Sequence, residues 1–186
     1  MLNRRIPTLL ALAALAACDT TEADPTALSA DVEVAFVTAP AHARNAVAAP
    51  MTGAQEAPTP VDTRARGAAK FQLSADGTSI DYRLNVANIE NVLMAHIHME
   101  VPGVAGPVVV WLYPAAPPAQ LIPGRTQGTL AAGTFTAANL MGPLAGMTIA
   151  DLWDAIRDGR TYVNVHTTAN PPGEIRGQID AAGHVD

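Results

Sequence analysis

The sequence predicts an all-β domain, a Greek-key β-sandwich or barrel of about eight short strands that carries one short helix. Three observations predict it. Apolar and polar residues alternate over several short runs, Gly, Pro and Asp-Gly turn signals separate those runs, and one stretch near Thr148 switches to helical spacing.

The clearest strands form a hairpin. Ala69, Phe71 and Leu73 alternate with Lys70 and Gln72; Asp76-Gly77 supplies turn chemistry; Ile80, Tyr82, Leu84 and Val86 then alternate with Asp81, Arg83 and Asn85. Period-two spacing sends each apolar set to one face, so the hairpin buries that face. Further strands are expected at 46–52, 92–99, 108–112, 126–131, 162–167 and 174–180. The helix is expected over 149–158: Thr148 can cap it, Asp151 completes a capping box, Ile149, Leu152, Trp153 and Ile156 make an apolar stripe, and Gly159 ends it.

A chain of 186 residues suits one ordinary domain with short extras. With 49% hydrophobic and 15% charged residues it has material for a packed core and too little charge for wholesale disorder. The net charge of -6, with Lys70 the sole lysine, argues against nucleic acid as a partner, because phosphate binding needs clustered cations.

The N-terminus reads as an export signal over 1–17: Arg4 and Arg5 precede an apolar stretch too short to cross a bilayer. It ends in Leu15-Ala16-Ala17-Cys18, which resembles the bacterial lipobox, and the resemblance implies that Cys18 is acylated. Cys18 is the only cysteine, so the domain is expected to contain no disulfide. The expected location is therefore the bacterial cell envelope, with the protein lipid-anchored and facing the periplasm or the exterior. Residues 18–45 read as a tether, with a β-like run at 32–37; the domain is expected over 46–180 and a tail over 181–186.

Five blocks carry a family resemblance: Gly53-Ala54-Gln55-Glu56-Ala57-Pro58, Ala95-His96-Ile97-His98, Gly103-Val104-Ala105-Gly106-Pro107-Val108-Val109, Tyr162-Val163-Asn164-Val165-His166-Thr167 and Pro172-Gly173-Glu174-Ile175-Arg176-Gly177-Gln178-Ile179. In this order they resemble the CHRD (chordin-type) domain family, found in animal chordin and in many secreted bacterial proteins. In chordin, growth-factor binding is attributed to separate cysteine-rich modules. None is present here, and the resemblance implies no growth-factor role.

Three of the five histidines fall in the domain, since His42 lies in the tether and His184 in the tail. Alternation puts His96 and His98 on the face opposite Ala95, Ile97 and Met99, and puts Tyr162, Asn164 and His166 opposite Val163 and Val165. The histidines therefore leave the non-core faces, where His96, His98 and His166 are candidate ligands for copper or zinc at a surface site. The pattern resembles Cu/Zn superoxide dismutase, a Greek-key barrel in which a His-X-His strand and a later histidine hold copper. It departs from that family in having no second histidine cluster between His98 and His166, which speaks against superoxide chemistry. The alternative is a hydrogen-bonded network that stiffens the barrel.

If residues 167–173 connect the last two strands, His166 faces Glu174, Asn164 faces Arg176 and Tyr162 faces Gln178. Asn164, Glu174 and Arg176 then surround the site. Glu174 is expected to orient His166, or to pair with Arg176, and Arg176 to attract an anion or take that pairing. Glu56 reads as a turn or cap residue. Trp111, Tyr113 and the Pro-rich stretch to Pro123 read as a loop that packs or covers the histidine face. No Ser-His-Asp arrangement, phosphate-cradling Gly loop or carboxylate dyad stands out. The reading favours a non-catalytic, membrane-anchored envelope module with a protein or glycan partner; the alternative is a copper-type metal-binding protein, with redox activity left open.

Overall fold

The computed structural model describes residues 46–179. The signal segment, Cys18, the tether with its 32–37 run, and residues 180–186 lie outside that range. Seven strands are present among the described residues: β1 (Ala46–Thr52), β2 (Arg66–Leu73), β3 (Ser79–Met99), β4 (Val108–Tyr113), β5 (Ile122–Thr136), β6 (Thr161–Thr167) and β7 (Ile175–Gln178). One helix, α1 (Ile149–Arg157), precedes β6.

The expected all-β architecture holds, with one fewer strand because two expected strands are a single one. Residues 80–86 and 92–99 are both part of β3, which runs 21 residues. Between its halves Asn88 and Asn91 take left-handed backbone angles, φ 56° and 51°, and the pairing with β5 shifts register. Asparagine tolerates that region better than most side chains, so the strand can bend there without ending. The 126–131 run is likewise the middle of the longer β5.

The bend in β3 closes the sheet. Its first half pairs with β2 and its second half with β6, while β2, β1, β7 and β6 follow one another in order, so five strands form a ring. Strand β5 lines the outer edge of the first half and β4 that of the second. The ring is thinnest between β1 and β7, where Thr52 pairs with Arg176. At this seam a Cβ on Gly177 would collide with the backbone carbonyl of Pro50, so the close approach of the strands needs glycine.

Inside the ring, Val47, Phe71, Leu84, Ile97, Val163 and Ile175 are among the buried apolar residues, as their alternation predicts. Helix α1 adds Ile149, Leu152, Trp153 and Ile156 to the same core. Its capping box is formed as expected: Asp151 N donates to Thr148 Oγ1 at 3.3 Å and Thr148 N to Asp151 Oδ2 at 2.8 Å. Gly159, at φ 67°, turns the chain from the helix into β6. Among the described residues no helix is long and apolar enough to cross a membrane.

Candidate functional site

The side of the sheet opposite this core carries a polar face built by three paired strands. His96 lies opposite Asn164, which lies opposite Arg176; His98 lies opposite Tyr162, which lies opposite Gln178; His166 lies opposite Met94. The register therefore brings His96, His98 and His166 together although the first and last are 70 residues apart. One nitrogen from each lies within 4.8 Å of the others.

The face is not at the surface. His96, His98, Asn164 and His166 are 2%, 7%, 2% and 5% exposed, and every residue of β6 is buried. Alternation assigned the facing, but period-two spacing cannot tell a solvated face from one covered by a loop. Two segments cover this one. The strap at 100–106 crosses it, and the turn after β6 folds back on it; Trp111 of β4 closes the edge, its ring 4.2 Å from that of His96.

Polar side chains of the face hold these covers by their backbone. His98 Nδ1 donates to Gly106 O at 2.8 Å, and Gly106 N donates to Tyr162 Oη at 3.0 Å. Arg176 donates through Nη1 to Val104 O at 2.8 Å and through Nη2 to Val101 O at 3.1 Å. Gln178 Nε2 donates to Glu100 O at 2.9 Å. On the turn, His166 Nδ1 donates to Pro171 O at 2.9 Å and Asn164 Nδ2 to Pro172 O at 3.4 Å.

These bonds set the tautomers. A carbonyl accepts only, so His98 and His166 carry their proton on Nδ1 and present a lone pair on Nε2. His96 Nδ1 is 3.1 Å from His166 Nε2 and donates to it, which leaves a lone pair on His96 Nε2. His96 Nε2, His98 Nε2 and Asn164 Oδ1 are all buried without a hydrogen-bond partner. Burial holds His96 down to about 3, reinforced by the charges of His166 and His98. Burial likewise takes His166 to about 4, against the pull of the Pro171 carbonyl, and lowers His98 against Gly106 and Asn164. The rings are therefore neutral at pH 7, the form in which imidazole binds metals.

Two expectations about the surroundings are corrected. Glu174 does not orient His166: its carboxylate accepts from Thr63 Oγ1 and Thr167 Oγ1, each at 2.7 Å. Strand β7 begins only at Ile175, so strand alternation does not govern the Glu174 side chain, and the Pro171 carbonyl takes its place on His166. Arg176 does not pair with Glu174. It is buried with its guanidinium 3.5 Å above the Tyr162 ring, whose other neighbour is the stacked His98 ring at 4.8 Å.

Glu56 has more to it than a turn role. Its backbone N–H closes the turn on Gly53 O at 3.1 Å, but its side chain is buried beside Gly173 with Oε1 unpartnered. Burial raises its carboxyl to about 7, against the lowering effect of Arg176. With Arg176, Gln178 and Pro102 it lines a cleft of about 300 Å³. Nothing in the spacing of a glutamate two residues before Pro58 signals that burial.

Fold and site together define a closed all-β domain whose outer face is a buried set of histidines under a clamped strap. The chain belongs to the CHRD domain family, whose match spans residues 47–179 and so nearly all of this domain. No curated protein and no solved structure matches the chain.

Proposed function

We propose that this protein is a non-catalytic CHRD-type binding module, held at the cell envelope by a lipid on Cys18, whose domain binds a copper- or zinc-class ion through His96, His98 and His166. The supporting observation is the convergence of one nitrogen from each ring within 4.8 Å. Two of the rings also have Nδ1 fixed by a backbone carbonyl, the outer contact that orients metal-binding histidines.

Elemental analysis of protein purified without chelators should find one transition-metal ion per chain. Calorimetric titration with copper should show His166→Ala and His96→Ala each weakening binding by about 100-fold or more, since each removes a donor rather than an outer contact. Equal, weak binding by wild type and both variants would leave the histidines a purely structural network. The anchor is tested separately. Cys18→Ser should move the protein from the membrane fraction to the soluble fraction or leave it as uncleaved precursor; a processed variant that still pellets with membranes refutes the lipid anchor.

A further inference from the structure

Asn164 stands in the middle of the histidine face. It is directly opposite His96, two residues before His166 on the same strand, and against His98. Its orientation follows from its contact with Pro172 O at 3.4 Å. Pro172 O can only accept, so the group directed at it is the amide Nδ2, and the other end of the side chain is the carbonyl oxygen. That oxygen is fully buried and has no donor. Its neighbour His98 has none to give, because the proton of its ring is on Nδ1 and committed to Gly106.

Asn164 stands opposite His96 and against His98, and Asn164 Oδ1, His96 Nε2 and His98 Nε2 are each acceptors without a partner and out of water. Acceptors packed without a donor repel one another and forgo hydration, an arrangement that buried polar groups otherwise avoid. A cation among them reverses the sign of every one of those interactions.

We propose that Asn164 Oδ1 is the fourth donor to the ion held by His96, His98 and His166, and that it closes the site as a four-coordinate site for a divalent ion of the zinc type. This rests on the metal-binding reading above and goes further by naming the donor set, the class of ion and the absence of an open position. Three imidazole nitrogens and one amide oxygen form a neutral set without sulfur, which suits Zn(II) or Cu(II) better than the softer Cu(I). Four protein donors are the pattern of structural zinc sites, whereas catalytic sites keep one position for water or substrate. Burial under the strap and the Trp111 edge agrees with a closed site.

Cobalt(II), which reports coordination number through its visible spectrum, is the probe, with zinc sulfate for affinity and sodium azide as a small competing ligand. The wild-type cobalt complex should show the intense visible bands of a four-coordinate ion, and azide should leave them unchanged. Asn164→Ala should bind zinc about 10- to 100-fold more weakly, less than a lost imidazole because water can replace a neutral amide oxygen, and should acquire an azide-sensitive cobalt spectrum. Its metal-free melting temperature should fall, because the bond to Pro172 O is lost and a cavity is left, so it is the azide-sensitive spectrum that separates a metal donor from a residue that merely stiffens the barrel. Asn164→Asp, with a charged oxygen in the same place, should bind zinc more tightly than wild type at pH 7.

An azide-sensitive wild-type spectrum, or zinc affinity unchanged in both variants, overturns the role of Asn164 and leaves the three-histidine reading standing. Wild type that takes up neither cobalt nor zinc overturns both.

Discussion

Gly177→Val is expected to lower the melting temperature by about 10 °C or more, or to prevent folding altogether. A side chain at this position meets backbone, the Pro50 carbonyl, with Met51 Cγ close behind at 3.0 Å. Backbone cannot swing aside as a side chain can, so β7 must separate from β1. The seam has little to spare, since Thr52 opposite Arg176 is the pairing that joins the two strands. Opening it also exposes buried residues on both sides, Met51 and Ile175 among them. Overpacking costs of about 3 kcal/mol are at the upper end of the usual range and correspond to roughly 10 °C in a domain of this size. Gly133→Ala is the control. The nearest neighbour of its new Cβ would be the half-buried Tyr82 ring, at 3.3 Å, and a shift of a few tenths of an ångström by that side chain relieves the contact, where a backbone carbonyl at 2.4 Å cannot give way. Thermal melts followed by circular dichroism decide the matter, and a Gly177→Val protein that melts with wild type would show that the seam does not close the barrel.

Much of this architecture was legible because it depends on local periodicity. The β2–β3 hairpin, the capping box of α1 and the core facing of Ala95, Ile97, Val163 and Val165 follow from side-chain spacing alone. The 162–178 register was also readable, because a short connection centred on Asn170 leaves one pairing that keeps both apolar sets inward; Tyr162 opposite Gln178 and Asn164 opposite Arg176 are in place. What could not be read depends on long-range packing. That 80–86 and 92–99 are one strand follows from a bend at Asn88 and Asn91, residues that equally signal a turn. Burial of the histidine face comes from the strap at 100–106, whose small residues carry no pattern of their own. Its clamps are backbone carbonyls, which a sequence does not distinguish. Glu174 eluded the facing rule because it stands one residue outside the strand, and Glu56 because nothing local foretells its burial beside Gly173.

The metal-free domain should be acid-labile well above the pH at which most proteins unfold. His96, His98 and His166 all have their affinity for protons lowered by burial, to about 3 for His96 and about 4 for His166. Below the ordinary histidine value of about 6.5, the unfolded chain therefore takes up protons that the folded one refuses. Their contribution to stability is complete above that value and is lost as the pH falls towards the folded values. Glu56 acts the other way. Its folded carboxyl is raised to about 7 from 4.5, so between those limits the folded state holds the extra proton. Its contribution is complete below 4.5 and is lost as the pH rises through 7. In the shared window His96 and His166, whose folded values lie below it, oppose one glutamate, and the lowering of His98 adds to them, so the net favours unfolding by at least one proton, each worth about 1.4 kcal/mol per pH unit. The slope should therefore be on the order of 1–3 kcal/mol per pH unit, a large share of an ordinary stability of ~5–15 kcal/mol over a few units. Urea unfolding of chelator-treated protein at pH 7, 6 and 5 measures it. Glu56→Gln separates the two contributions: the variant should exceed wild type in stability at pH 8, where the buried carboxylate is charged, and converge with it towards pH 5, where that carboxyl is already protonated. Stability that stays flat from pH 7 to pH 5 in metal-free wild type would mean that the three imidazoles are not held neutral in the folded domain.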